Sequence, residues 1–216
     1  MTDVTGGRGD GARVPGGRAP ILFVLLALVA WSARAASAAP AEHVVIVSLD
    51  GARPDALERA HVPTLRRLWE SGTRAVRALT VVPPVTLPSH ASMVTGVRPA
   101  RHGIDWNDYR PSRGFVGVPT IFQIATAHGM RAAMFVNKEK LRHLAPSDAL
   151  HRFAHVGHTA AKVAPAAAAY YRRYRPQLLL VHMADPDTAG HASGWMSPAQ
   201  FRALTACDSA VAEIVR

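Results

Sequence analysis

Four short stretches of the chain carry residue types able to do chemistry. Asp50 stands in Ser48-Leu49-Asp50-Gly51, directly after an apolar run. A carboxylate at the end of a strand, followed by a glycine that lets the backbone turn sharply, suits a hard or borderline cation; an Asp-Gly pair also suits an ordinary turn. Thr86 opens Thr86-Leu87-Pro88-Ser89-His90, where a passage stiffened by Pro83, Pro84 and Pro88 enters a helical stretch. A helix N-terminus presents unpaired N–H groups and the positive end of the dipole to a phosphate at such a hydroxyl. The same place suits an N-cap, and Ser89 fits that role as well as Thr86. A free hydroxyl is a weak nucleophile near neutral pH, so a reactive Thr86 requires a metal ion beside it. Asp185-Pro186-Asp187-Thr188-Ala189-Gly190-His191 follows a second apolar run. Its carboxylates and imidazole fit a zinc-type site of mixed O and N ligands. Pro186 and Gly190 argue for a loop, from which Asp187 and His191 converge, and polar surface loops gather such residues without binding anything. In His102-Gly103-Ile104-Asp105-Trp106-Asn107, Asn107 either donates its amide to a phosphate oxygen or occupies a turn. His90, His102, His151, His155 and His158 show no metal-ligand spacing and are read as structural or solvated.

Apolar periodicity indicates the elements that must position these groups. His43–Leu49 is a continuous β-branched run, the pattern of a strand buried on both faces. Residues Pro63–Ser71 read as a helix stopped by Gly72, Thr73–Thr80 as a second strand, and Ser89–Thr95 as a short helix ended by Gly96. Thr120–His128 is a helix closed by Gly129, and Ala132–Val136 a strand. Thr159–Tyr174 is an Ala-rich helix, kinked or broken at Pro165. Gln177–Met183 is a second apolar strand and Pro198–Arg216 a final helix. Strands alternating with helices predict an α/β fold with a mostly parallel sheet covered on both faces. Ligands of such sheets gather beyond the carboxyl ends of the strands, so the polar residues after each strand are the ones to watch.

The bulk composition bounds the partners. Arg8, Arg13 and Arg18 precede an apolar run from Ile21 to Trp31 and a small-residue stretch containing Ala36-Ser37-Ala38, the layout of a secretory signal peptide. The run is shorter than the roughly 20 residues of a spanning helix. The expected organisation is therefore a signal and disordered N-terminus over 1–38 and one domain over 39–216, exported to the periplasm or secreted. A retained signal would make it a membrane anchor instead. Removing residues 1–38 takes away four Arg and two Asp and lowers the net charge from +10 to +8. A basic surface favours anionic partners such as phosphate esters, but the Arg residues are scattered, without a nucleic-acid motif. Cys207 is the only cysteine, so no intramolecular disulfide forms, and its helical setting marks it as a small buried apolar residue.

Taken in order, Val47-Ser48-Leu49-Asp50-Gly51, Thr86-x-Pro-Ser-His, Val94-Thr95-Gly96, His102-Gly103-Ile104 with Asn107, and Asp185-Pro-Asp-Thr-x-Gly-His191 resemble the type I phosphodiesterase/nucleotide pyrophosphatase family of the alkaline phosphatase superfamily. The resemblance runs from about His43 to the end of the chain. It implies a three-layer α/β/α sandwich and a pair of divalent metal ions, expected to be zinc. Asp50 and Thr86 would bind one ion, and Asp187 and His191 the other. Thr86 would attack phosphorus, Asn107 would steady the charge developing on a phosphoryl oxygen, and water would release the phosphothreonine. The implied substrate is a small phosphate ester or nucleotide. The family also carries a later Ser-Asp-His-Gly-type motif and a further His, which complete the two metal sites. Neither occurs before Arg216, so the chain is expected to be a C-terminally truncated member that binds zinc weakly and exposes apolar surface at the cut edge. Two alternatives stay open: a phosphomonoesterase of the same superfamily, and an exported fragment without catalytic activity. A sulfatase is disfavoured, because Thr86 stands where that branch needs a Cys or Ser, and His90 stands where it has Arg.

Overall fold

The computed structural model describes residues 40–216; the expected signal segment 1–38 lies outside them. Four strands make one sheet: β1 (Val44–Leu49), β2 (Ala132–Val136), β3 (Arg152–His155) and β4 (Leu178–Met183). Their order is β1-β4-β2-β3, and every neighbouring pair is parallel. All four carboxyl ends therefore open on one rim. The helices are α1 (Pro54–Arg59), α2 (Pro63–Ser71), α3 (Thr86–Thr95), α4 (Pro99–His102), α5 (Ile121–Ala127), α6 (Ala160–Tyr174), α7 (Asp185–Ser193) and α8 (Pro198–Ile214).

The period of two along each strand sorts side chains between two helical layers. Ala132, Met134, Val136, Leu178 and Leu180 pack against Leu87, Ala91 and Val94 of α3 and Phe122 of α5. Ala133, Phe135, Leu179, Val181 and Met183 face the other way, onto Val163, Ala164 and Ala167 of α6 and Cys207 and Val211 of α8. The result is the expected α/β sandwich with helices on both faces. Side chains also tie helix ends to one another. Both carboxylate oxygens of buried Asp208 in α8 accept from the backbone of α2, from Leu65 N at 2.8 Å and Thr64 N at 3.1 Å. Asp185 Oδ2 accepts from Ala160 N at 2.8 Å and caps α6. Among the described residues no helix is long and apolar enough to cross a membrane.

Several expectations need correction. β1 is not buried on both faces: Val44 and Val45 are 46% and 39% exposed, because within the described residues β1 pairs only with β4. Residues 73–80 form no strand and are exposed, since β-propensity without a ladder partner does not hold an extended segment in a sheet. Helix α3 begins at Thr86, not at Ser89, with Val85 as its N-cap residue. Pro88 is tolerated there because the first turn has no use for its missing N–H. Helix α6 continues through Pro165, and the carbonyl freed at Ala161 lies on an exposed residue where water can reach it. The segment after β4 is the helix α7 and not a loop. Pro186 falls in its first turn, and Gly190 has a packing reason: a Cβ there would come within 2.5 Å of the Trp195 ring.

Candidate functional site

Three oxygens from three separate elements meet at one nitrogen. Lys138 Nζ, two residues past the end of β2, lies 2.6 Å from Asp50 Oδ2, 2.6 Å from Asp187 Oδ2 and 3.0 Å from Thr86 Oγ1. The Thr86 hydroxyl in turn donates to Asp50 Oδ2 at 3.0 Å. Asp50 continues β1 beyond its carboxyl end, Thr86 is the first residue of α3, and Asp187 lies in the first turn of α7. Acidic residues in that turn also complement the α7 dipole. The parallel sheet thus brings residues 50, 138 and 187 to one rim, and α3 aims its N-terminus at the same point.

The turn after Asp50 is tightly packed. Gly51 adopts φ +73°, and a Cβ added there would lie 2.5 Å from Asp187 Cα. Only glycine permits both that backbone conformation and that approach. Gln200 Nε2 of α8 donates to the Gly51 carbonyl at 3.1 Å and holds the turn from the other side.

The environment of Asp50 keeps it ionised. Burial raises its pKa, but a hydrogen bond from His182 Nε2 at 3.3 Å and the charge and hydrogen bond of Lys138 outweigh burial and hold the carboxyl well below the usual carboxylate range. Lys138 is likewise penalised by burial, yet Asp50 and Asp187 raise its pKa, so it stays charged. An Asp so stabilised as an anion is a weak proton acceptor. Its bond to Thr86 orients the hydroxyl.

Behind Thr86 lies a buried histidine relay. His90 Nδ1 is 2.7 Å from the Thr86 carbonyl, which can only accept, so the ring proton sits on Nδ1. Nε2 then accepts from the Ser48 hydroxyl at 2.8 Å. Burial, followed by the nearby His182, pushes the His90 pKa down to about 4. The neutral ring ties the first turn of α3 to β1 two residues before Asp50. Leu87 N donates to Asn107 Oδ1 at 2.9 Å, which fixes the Asn107 amide plane and leaves its Nδ2 group for another acceptor.

His191 is one helical turn beyond Asp187, and its Nε2 lies 3.5 Å from Asp187 Oδ1. It is the most open member of the group, with its side chain 72% exposed and its ring edge against Trp195. Asp50, Thr86 and Asp187 are therefore brought directly together, Asn107 is held beside them through Leu87, and His191 sits at the rim through Asp187. Two neighbours escaped the sequence reading. Lys138 follows a predicted strand, the very place where chemistry was sought. His182 interrupts β4, which otherwise reads as apolar, and its buried Nδ1 has no hydrogen-bond partner among the described residues.

Among the described residues no three His, Cys, Asp or Glu side chains converge as a metal cluster. The converging donors are two carboxylates and a hydroxyl, and the group they hold is itself a cation. Oxygens of this type accept zinc or magnesium as readily as an ammonium, so the pocket fits a divalent ion. An apolar groove of about 590 Å³ runs elsewhere, between β1, α2 and the end of α8, and contains none of these polar residues.

The family model described as type I phosphodiesterase/nucleotide pyrophosphatase matches residues 44–216. An uncharacterized pyrophosphatase/phosphodiesterase of Schizosaccharomyces pombe is 38% identical over 66 residues, 31% of this chain and 14% of that protein. An ectonucleotide pyrophosphatase/phosphodiesterase of Caenorhabditis elegans is 42% identical over 64 residues, 30% of this chain and 9% of the relative. Among solved structures, murine ectonucleotide pyrophosphatase/phosphodiesterase 5, an inactive variant in complex with AMP, superposes with a TM-score of 0.70 at 18% identity, covering 81% of this chain and 51% of its own. Phosphonoacetate hydrolase from Sinorhizobium meliloti, in complex with phosphonoacetate, gives 0.58 at 26% identity, covering 82% of this chain and 54% of its own. The chain spans about half the length of these solved relatives.

Proposed function

The chain belongs to the type I phosphodiesterase/nucleotide pyrophosphatase family, and from that premise we propose that it serves the metal-dependent hydrolysis of small phosphate esters by way of a phosphothreonine at Thr86. The observation that carries this reading is the meeting of the Thr86 hydroxyl with the carboxylates of Asp50 and Asp187 around one cationic nitrogen, at 2.6 to 3.0 Å.

Asp50 and Thr86 would hold one divalent ion, expected to be zinc, and Asp187 and His191 a second. Such ions, when bound, supply positive charge to the entering and leaving oxygens and lower the pKa of a hydroxyl. The remaining work falls to the chain's own residues. Asp50 orients the Thr86 hydroxyl, and His90 fixes the backbone that carries it. Thr86 Oγ releases its proton to solvent water and forms a bond to phosphorus as the ester oxygen leaves with its electron pair and takes a proton from water. Asn107 Nδ2 donates to a non-bridging oxygen while charge builds there. Water then attacks phosphorus and loses a proton to solvent, and the Thr86 oxygen departs with the bonding pair and takes a proton back. The AMP and phosphonoacetate held by the two solved neighbours support a small anionic substrate, as does the basic net charge of this chain. The basic, apolar and small-residue order of residues 8–38 supports export.

The test is turnover of bis-p-nitrophenyl phosphate with zinc present, compared between the protein and Thr86→Ala, together with acid quenching and mass analysis of the peptide containing Thr86. Loss of turnover in the variant and a phosphoryl adduct on Thr86 are expected. Full turnover by Thr86→Ala would remove this residue from the mechanism. Parallel assays with p-nitrophenyl phosphate separate a diesterase from a monoesterase, and a protein that turns over neither substrate is the inactive alternative.

A further inference from the structure

Lys138 does not appear in the motifs that carry the family resemblance, yet it occupies the centre of the site. Its ammonium has three N–H donors, and three oxygens receive them: Asp50 Oδ2, Asp187 Oδ2 and Thr86 Oγ1. The head group is thus fully coordinated. The side chain is 17% exposed, so little of it faces water. A zinc ion bound by Asp50 and Thr86, or one bound by Asp187 and His191, would sit about 2.0–2.2 Å from its carboxylate oxygen. An ammonium at 2.6 Å from the same carboxylate oxygens cannot share that point. One cation must leave before the other arrives.

The charges make an exchange the natural outcome. Asp50 and Asp187 place two negative charges at one rim, and Lys138 returns one positive charge to them. Facing carboxylates with no cation between them repel each other, which favours protonation or separation. Lys138 hangs on a flexible four-carbon stem from a residue in extended conformation that precedes a short 3-10 helix, Glu139–Leu144. The head can swing out by rotation about side-chain bonds, without any change in the sheet.

We propose that Lys138 is a tethered counter-ion: its ammonium holds the two carboxylates and the Thr86 hydroxyl together in the metal-free protein, and a divalent ion must displace it to bind. The proposal rests on the metal-binding reading of this site. It gives the metal-free state a closed polar cluster in place of two opposed anions, and it lowers the apparent affinity for metal by the cost of expelling the ammonium.

Zinc titration by calorimetry on the chelator-treated full chain, beside Lys138→Met, tests this directly, because methionine keeps an apolar stem and removes the charge. The variant should bind its first zinc at least tenfold more tightly, and without metal it should melt at a lower temperature, with zinc restoring the difference. Equal zinc affinity in both proteins overturns the proposal while leaving the metal reading intact. Failure of both proteins to bind zinc overturns the two together. A second measurement needs no variant. The unmodified protein is treated with an amine-acylating reagent, with chelator or with saturating zinc, and Lys138 labelling is read against exposed Lys162 by mass spectrometry. Lys138 should be protected in chelator and should become reactive with zinc bound. Unchanged labelling at zinc saturation refutes displacement even if Lys138→Met fails to fold.

Discussion

Replacing Gly51 by alanine tests how closely the first turn of α7 is pressed against the end of β1. Two costs act at this position. The φ of +73° places an L-residue in the left-handed region, which costs about 1–2 kcal/mol. The new Cβ would also stand 2.5 Å from Asp187 Cα, 2.7 Å from its N and 2.9 Å from its Cβ. Ordinary contact begins near 3.4 Å, so the backbone of Asp187 must retreat by about 0.9 Å. Overpacking of that kind costs about 1–3 kcal/mol more. Gly103 provides the control, with φ +76° and nothing within 4 Å of an added Cβ; Gly103→Ala should cost only the conformational part, about 1–2 kcal/mol. Urea unfolding should therefore rank Gly51→Ala about 1–3 kcal/mol below Gly103→Ala. The same retreat separates Asp187 from Asp50, and a shift near 1 Å at a reacting centre lowers activity about 10²-fold. Equal destabilisation by the two substitutions would show that the turn and α7 do not touch as described.

Other expectations follow from the same contacts. Asp208→Ala leaves the buried N–H of Thr64 and the half-buried N–H of Leu65 without acceptors and should cost about 2–4 kcal/mol in urea unfolding. Because His90 has a folded pKa near 4 against an ordinary 6.5, the unfolded chain takes up a proton between those values while the folded chain does not. Stability should then fall as pH drops from 6.5 to 4, by about 3 kcal/mol from this residue alone, and a His90→Gln variant should show a flatter profile over that window. Asn107→Ala should lower the turnover of bis-p-nitrophenyl phosphate about 10²-fold, the usual effect of losing one donor to a developing oxyanion; an unchanged rate would assign Asn107 to support of Leu87 alone.

Local chemistry explains which parts of the molecule were legible in the sequence. β2 was readable to the residue, because a five-residue apolar run bounded by Arg131 and Asn137 leaves little choice. Helix α5 is expected from a stretch closed by Gly129, and in the structure Thr120 and Gln123 form a reciprocal cap at its start. Asp50, Thr86 and Asp187 were found by asking what lies beyond strand ends and at helix starts, and those are the residues the sheet brings together. Lys138 meets the first of those criteria and was overlooked because a lysine after a strand is usually read as solvated. Helix α7 was misread for a different reason. Its Gly190 suggests a loop only until Trp195 is known to lie against it, and that contact is not visible in a linear pattern. The open side of β1 was equally hidden, since a run of Val and Ile looks alike in a central strand and in a border strand.

The strand order has a consequence for how the protein is made. β4 is the last of the four strands to be synthesised, yet it lies between β1 and β2, which make no ladder with each other. A nascent chain that has released β1, β2 and β3 therefore cannot close the sheet until residue 183 has emerged and the late strand has slotted between two waiting partners. Until then the oxygens of Asp50, Thr86 and Asp187 have no common meeting point, and two apolar strand borders wait unpaired. Such long-range closure is slow and exposes adhesive edges, so assembly of this rim is the step at which a chaperone would be of most use.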